Sequence, residues 1–311
     1  MSDSTAPQRD TNSNRSFYPP ARQAPSGPIL VAADGTSAGE AAFCAASAIA
    51  AKSSSSVQVL VVVEPLPALG PEQSLMMPPL VASPELLDAV RSRVVAQIRE
   101  LGPEGLEWHV EVGYGRPSVE IADKARDRNA QLIVIGLVHR GVVDRILDGD
   151  TALEVVRQSH TPVVLVSARW EALPKCAVFA VDFSVQSMQA ARTGLRLLDV
   201  GSTVFLAHVR PMTTVYDGMG MWEEEYEKAA TKELERFAEV LNAPAGMRVE
   251  QVTLSGSPSA ALLGLADGME ADLIVAGTRG AGLMQRLLLG SVATRLMRHS
   301  TRSLLIVPDK D

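Results

Sequence analysis

Short, nearly continuous apolar runs alternate along this chain with longer stretches whose apolar residues recur at helical spacing. The first run, residues 28–34, ends in an acid, Asp34. Residues 57–63, 108–112, 132–135 and 163–166 read as further strands. Between them, 37–52, 84–101, 117–128 and 150–159 read as helices, with Ser37 as a cap for the first and Pro117 in the first turn of the third. The order then repeats. Strands are expected at 177–181, 203–209, 249–254, 273–276 and 304–307, and helices at 186–198, 222–241, 258–267 and 291–299. Alternating buried strands and helices imply a parallel sheet covered on both faces.

The repeat is visible residue by residue. Leu132-Ile133-Val134-Ile135-Gly136 corresponds to Leu273-Ile274-Val275-Ala276-Gly277, and the next shared glycine, Gly149 or Gly290, lies 13 positions on in both. Gly115-Arg116-Pro117 corresponds to Gly256-Ser257-Pro258, and Asp34 to Asp182. The expected organisation is a disordered tail over 1–27, a first domain over 28–169 and a second over 173–311. The last strand of each half, 163–166 and 304–307, is apolar and would otherwise be an exposed sheet edge. The halves are therefore expected to pack there as a pseudo-symmetric pair.

The candidate chemistry lies in the second half. An apolar strand stops at Gly277, Gly280 follows, and Gly290-Ser291 opens a helix. Glycines let backbone approach a ligand, and free N–H groups at a helix start attract phosphate, aided by the helix dipole. Ser291 can cap that helix or donate to a phosphate oxygen. Asp182, Val209 and Gly277 end three strands and can converge on one crevice, where such sheets bind ligands. Arg279 and Arg286 could neutralise phosphate or simply be surface residues, and Asp182 could merely cap the turn into the next helix. His160, His208 and His299 read as ordinary element ends, whereas Met76-Met77 and Met219-x-Met221 read as loops over the crevice, a lid or a partner surface.

Composition narrows the classes. Of 311 residues, 46% are hydrophobic and 21% charged, as in a globular protein. A net charge of −7 argues against a nucleic-acid groove. Cys44 and Cys176 lack metal-ligand spacing and read as buried thiols in a reducing compartment, the cytoplasm. No apolar run approaches the roughly 20 residues of a membrane span, and the N-terminus lacks the apolar core of a signal peptide.

The motif Gly277-x2-Gly280-x9-Gly290-Ser291, with Asp182 after the first strand of its half, resembles that of the universal stress protein family, and the whole chain resembles a tandem member. The resemblance implies two open five-stranded, mostly parallel α/β sheets with helices on both faces, of the adenine-nucleotide alpha-hydrolase-like, Rossmann-like kind. In one branch it implies ATP, with Mg2+ as companion ion. By position, Asp182 would contact the adenosine part, Val209 would lie along the adenine, and Gly277 and Gly280 would let the ribose and phosphates approach the backbone. Gly290, Ser291 and Val292 would hold phosphates at the helix start. The family norm is binding and signalling without turnover, through an unidentified protein partner, with a homodimer left open.

The first half departs from that pattern. Asp34, Gly136 and Gly149 are in place, but His139 stands for the second glycine and Asp150 for the serine. Asp150 is expected to cap its helix and to repel a phosphate, so this half is expected to bind ATP poorly. Two functions compete with the sensor reading: a slow ATPase or phosphotransferase, and a nucleotide-free interaction scaffold.

Overall fold

A computed structural model describes residues 18–20, 26–33, 37–65, 83–101, 106–137, 145–167, 170, 172–210, 220–279 and 289–309. The first half runs β1 (Ile29–Ala33), α1 (Ser37–Ser53), β2 (Val57–Val63), α2 (Pro84–Leu101), β3 (Trp108–Tyr114), α3 (Pro117–Asp127), β4 (Leu132–Gly136), α4 (Arg145–Gln158) and β5 (Val163–Val166). The second half runs β6 (Cys176–Ala180), α5 (Val185–Leu197), β7 (Thr203–Arg210), α6 (Gly220–Leu241), β8 (Arg248–Ser255), α7 (Pro258–Gly268), β9 (Leu273–Gly277), α8 (Ser291–His299) and β10 (Ser303–Val307).

All ten strands form one sheet, in the order β3-β2-β1-β4-β5-β10-β9-β6-β7-β8. Within each half the pairings are parallel, and at the junction β10 runs antiparallel to β5, with Leu304 opposite Leu165, Leu305 opposite Val164 and Ile306 opposite Val163. The two apolar edge strands thus cover each other. Side chains alternate along them between two cores. Val164, Val166 and Leu305 point toward α1, α2, α5 and α6, whereas Val163, Leu165, Leu304 and Ile306 point toward α3, α4, α7 and α8.

Both cores therefore run through both halves. Lys52 Nζ, at the end of α1, donates to the Leu198 carbonyl that ends α5. Trp170, in the connection between halves, donates from Nε1 to Ser303 Oγ at 3.1 Å.

The repeated Gly-x-Pro has a backbone cause. Gly115 and Gly256 have φ of +151° and +111°, open to glycine and strained for other residues, and each precedes a helix whose first turn carries proline. Tyr18–Pro20, which composition assigns to the tail, instead lie against the second half. The Tyr18 side chain is 6% exposed, and Arg192 Nη1 on α5 donates to the Pro19 carbonyl at 2.6 Å.

The first-half glycine loop differs from the sequence expectation. Helix α4 starts at Arg145, so Gly149 and Asp150 lie inside it, and Asp150 is not its cap. The helix continues through Gly149, a substitution that costs only about 1 kcal/mol relative to alanine. Equal glycine spacing therefore does not produce equal backbone paths, and the repulsion expected from Asp150 at a helix start loses its basis. Among the described residues, no helix is long and apolar enough to cross a membrane. Cys44 and Cys176 are free and half-buried rather than buried, and burial pushes the Cys176 thiol up.

Candidate functional site

A cavity of about 320 Å³ opens beyond the carboxyl ends of β6, β7 and β9, the place where open α/β sheets hold ligands. Three alanines make it. Ala180 and Ala207 are register partners on β6 and β7, and Ala276 sits one residue before the end of β9. Larger side chains at these positions would fill the space. Val209 adds apolar wall on the sheet side, and Pro258 and Leu262 of α7 close the opposite side.

The polar rim has two parts. The first follows β6. Asp182 Oδ1 accepts from the Ser184 N–H at 3.1 Å and from the Ser184 hydroxyl at 2.5 Å. Ser184 is the N-cap of α5, its Oγ accepting from the Ser187 N–H at 3.1 Å. Asp182 thus both shapes the turn into α5 and lines the cavity, so the two readings of this residue are compatible.

The second part follows β9. Gly277, Thr278 and Arg279 face Gly290, Ser291, Val292 and Ala293 across the cavity mouth. The Gly290 N–H donates to the Thr278 carbonyl at 2.7 Å, closing the loop. A Cβ on Gly290 would meet that carbonyl oxygen at 3.0 Å, so this glycine makes room for backbone. Gly290 itself is the N-cap of α8, with φ −61° and ψ 151°. Ser291 is consequently the first helical residue and not the cap. Its exposed side chain lines the cavity, beside the N–H groups that open a helix.

Charge at this rim is organised around Arg279. Its Nη1 lies 3.3 Å from Asp309 Oδ2, with the two side chains 18% and 20% exposed. Gln186 Nε2 donates to Asp309 Oδ1 at 3.4 Å, and the Asp309 N–H donates to Thr278 Oγ1 at 3.3 Å.

His208 is more than a strand-end residue. It is buried, lines the cavity, and places Nδ1 2.8 Å from the Val181 carbonyl and Nε2 2.8 Å from the Tyr226 hydroxyl. A carbonyl only accepts, so Nδ1 carries a proton, and in the neutral ring Nε2 accepts from Tyr226. Burial pushes the Tyr226 phenol above its usual value, with Arg210, 6.0 Å from the ring centre, pulling the other way. The Phe183 ring lies against the imidazole, tilted by 33° with centroids 4.4 Å apart.

The structure therefore brings together Asp182, Val209, Gly277, Arg279, Gly290, Ser291 and Val292. Gly280 and Arg286 lie outside the described residues, as do Met76, Met77 and Met219 over the expected crevice, and Asp34 and His139 of the first half. Gly136 ends β4 as expected. The sequence reading did not single out Asp309 or Gln186, and it set His208 aside. Their roles depend on which strand ends and helix starts become neighbours, which no local pattern carries.

The profile of the universal stress protein family matches residues 26–167 and again 175–308. The chain belongs to the universal stress protein family. A universal stress protein of Thermus aquaticus is 30% identical over 134 residues, covering 43% of this chain and 98% of that protein. One from Mycolicibacterium smegmatis is 25% identical over 193 residues, or 58% of this chain, and the match spans only 62% of that relative's length. A universal stress protein structure from Archaeoglobus fulgidus superposes with a TM-score of 0.63 at 20% identity, covering 91% of this chain and 98% of that one. A functionally unknown protein from Pseudomonas aeruginosa does so with a TM-score of 0.63 at 16% identity, covering 90% and 92%. At such identities the structural likeness speaks for the fold alone, a tandem of universal stress protein domains.

Proposed function

We propose that the second half binds ATP in this cavity, and that the protein is a cytoplasmic stress-response sensor which signals its nucleotide state to a partner protein without turnover. One observation carries the reading: an apolar floor, a carboxylate and a helix start surround a single cavity. Ala180, Ala207, Val209 and Ala276 suit a flat base. The Asp182 carboxylate suits a ribose hydroxyl, since it can accept a hydrogen bond from it. The N–H groups at the start of α8, the Ser291 hydroxyl and Arg279 suit phosphates.

Among the described residues, no group of three or more His, Cys, Asp or Glu side chains is placed to hold a metal ion. Mg2+ would enter on the nucleotide, the way this ion commonly binds, through phosphates. Binding without turnover is favoured over hydrolysis because Asp182, the carboxylate lining the cavity, is assigned to the ribose end, away from the phosphates, and both ring nitrogens of His208 are bonded, to Val181 and Tyr226. A general base must reach the attacking water with its own lone pair.

Mass spectrometry of small molecules released from the purified chain tests the reading. ATP, or ADP from its decay, at about one equivalent per chain is expected. A nucleotide-free chain that also takes up no added ATP would favour an interaction scaffold.

A further inference from the structure

We propose that Tyr18 is a positioning residue for this cavity: the segment Tyr18–Pro20 straps the turn that carries Asp182, coupling the N-terminal end of the chain to ligand binding in the second half. The proposal rests on the nucleotide reading above for its ligand, and on the following geometry for its mechanism.

The strap has two anchors on the second half. Its first is Tyr18, whose ring packs edge-on against Phe237 of α6, with centroids 5.5 Å apart and planes at 84°. The second is the bond from Arg192 to the Pro19 carbonyl. Between these anchors the Tyr18 hydroxyl donates to the Phe183 carbonyl at 3.2 Å. Burial is the main cause that pushes the Tyr18 phenol above its usual value, so the hydroxyl keeps its proton at neutral pH.

Phe183 is an unusual place to take a bond. Its φ is +63°, a left-handed conformation that is costly for a bulky side chain. Four other described non-glycine residues have positive φ: Ser54, Asn129, Asn242 and Glu270. Each lies within two residues of a helix end, where that conformation closes the last turn. Phe183 instead precedes a helix, directly after the cavity-lining Asp182.

Three contacts among the described residues bear on the turn. Asp182 bonds Ser184 across it, the Phe183 ring lies on His208, and Tyr18 takes the Phe183 carbonyl. Asp182 and His208 both line the cavity. Releasing Tyr18 removes the contact that comes from outside the second half, and lets the turn relax away from the shape that presents Asp182. Whatever draws the N-terminal segment off the second half would then weaken ligand binding.

The test is an ATP titration by calorimetry of the full chain, Tyr18→Phe, Asp182→Ala and the double variant. Tyr18→Phe keeps the ring on Phe237 and deletes only the hydroxyl. It should raise the Kd about fivefold, the equivalent of about 1 kcal/mol for one net hydrogen bond. In the Asp182→Ala background it should add nothing, because it acts through that residue. Unchanged affinity, or the same loss in both backgrounds, overturns the proposal.

A ligand-free measurement separates this failure from that of the nucleotide reading. Tyr18→Phe should speed hydrogen exchange at the Ser184 and Ser187 amides several-fold, and leave the Thr294 and Ser300 amides of α8 and its end unchanged. If the natural chain takes up no ATP, the nucleotide reading falls and the exchange result alone decides. Unchanged exchange at Ser184 and Ser187 then overturns the strap.

Discussion

Arg279 Nη1 lies 3.3 Å from Asp309 Oδ2 at the rim of the cavity, and both side chains are about four-fifths buried. Arg279, the cation that lines the cavity among the described residues, is thus already paired with the Asp309 carboxylate. An incoming phosphate must share or take that guanidinium. Asp309→Asn should therefore tighten ATP binding several-fold, while lowering the stability of the ligand-free chain by about 1 kcal/mol, as for a partly exposed ion pair. Calorimetry and thermal unfolding check the two halves of this statement. Weaker ATP binding would mean that Asp309 orients Arg279 for the ligand instead of competing with it.

Ser291 offers a substitution in which stability and binding should move apart. As the first residue of α8, an aspartate there favours the helix dipole by about 0.3–1 kcal/mol. Against a phosphate about 4 Å away it is repulsive by about 4 kcal/mol at an effective dielectric of ~20, roughly a thousandfold in affinity. Ser291→Asp should hold or raise the melting temperature and abolish measurable ATP binding. Unchanged affinity in a stable Ser291→Asp protein would place the phosphates elsewhere.

Tyr18 should also appear in the pH dependence of stability. Its folded pKa is raised above the ordinary 10.0, chiefly by burial. A raised folded value means that the folded state holds the proton more tightly than the unfolded chain does. That contribution is complete below pH 10, and is lost as pH rises through the raised folded value. Above pH 10 the natural chain should accordingly lose stability faster than Tyr18→Phe, as denaturant midpoints measured at stepped pH would show. Lys52, held below its usual value by burial, is present in both proteins and cancels in the comparison. Parallel pH curves would mean that the Tyr18 hydroxyl is no more protected than in the unfolded chain.

The two halves should differ in binding. Helix α4 begins at Arg145, ahead of Gly149, whereas α8 begins at Ser291, directly after Gly290. The first half also carries a carboxylate, Glu154, which accepts from Ser118 Oγ at 2.7 Å and pairs with Arg116 at 3.3 Å. Its counterpart by spacing in the second half is Arg295. One ATP per chain is expected from titration of the full-length protein. Two equivalents of similar affinity would show that the helix start and local charge do not decide occupancy.

These differences mark what the sequence could and could not carry. Apolar runs ending in glycine located β4 and β9, because a strand buried on both faces needs unbroken apolar residues. The apolar edges at 163–166 and 304–307 foretold the junction of the halves, since an open apolar edge is a liability. The placing of Gly277 and of Gly290, Ser291 and Val292 at the rim was legible for a similar reason: close backbone approach and a helix start restrict residue type locally.

Other features have no local signature. Tyr18 is one aromatic in a polar stretch, and its partners Phe183 and Phe237 lie far along the chain. Asp309 meets Arg279 only because β10 runs beside β9. The early start of α4 follows from helix continuation across one glycine, an energy too small for spacing to reveal.

The central claim is that one nucleotide sits between Asp182 and the start of α8. A crystal structure of the full chain grown with ATP and Mg2+ tests it most directly. The account predicts the base against Val209 and the three cavity alanines, the ribose at Asp182, and the phosphates at Gly290, Ser291 and Val292, with the first half empty. Nucleotide bound in the first half or at another surface, or a second-half cavity left empty at millimolar ATP, would contradict it.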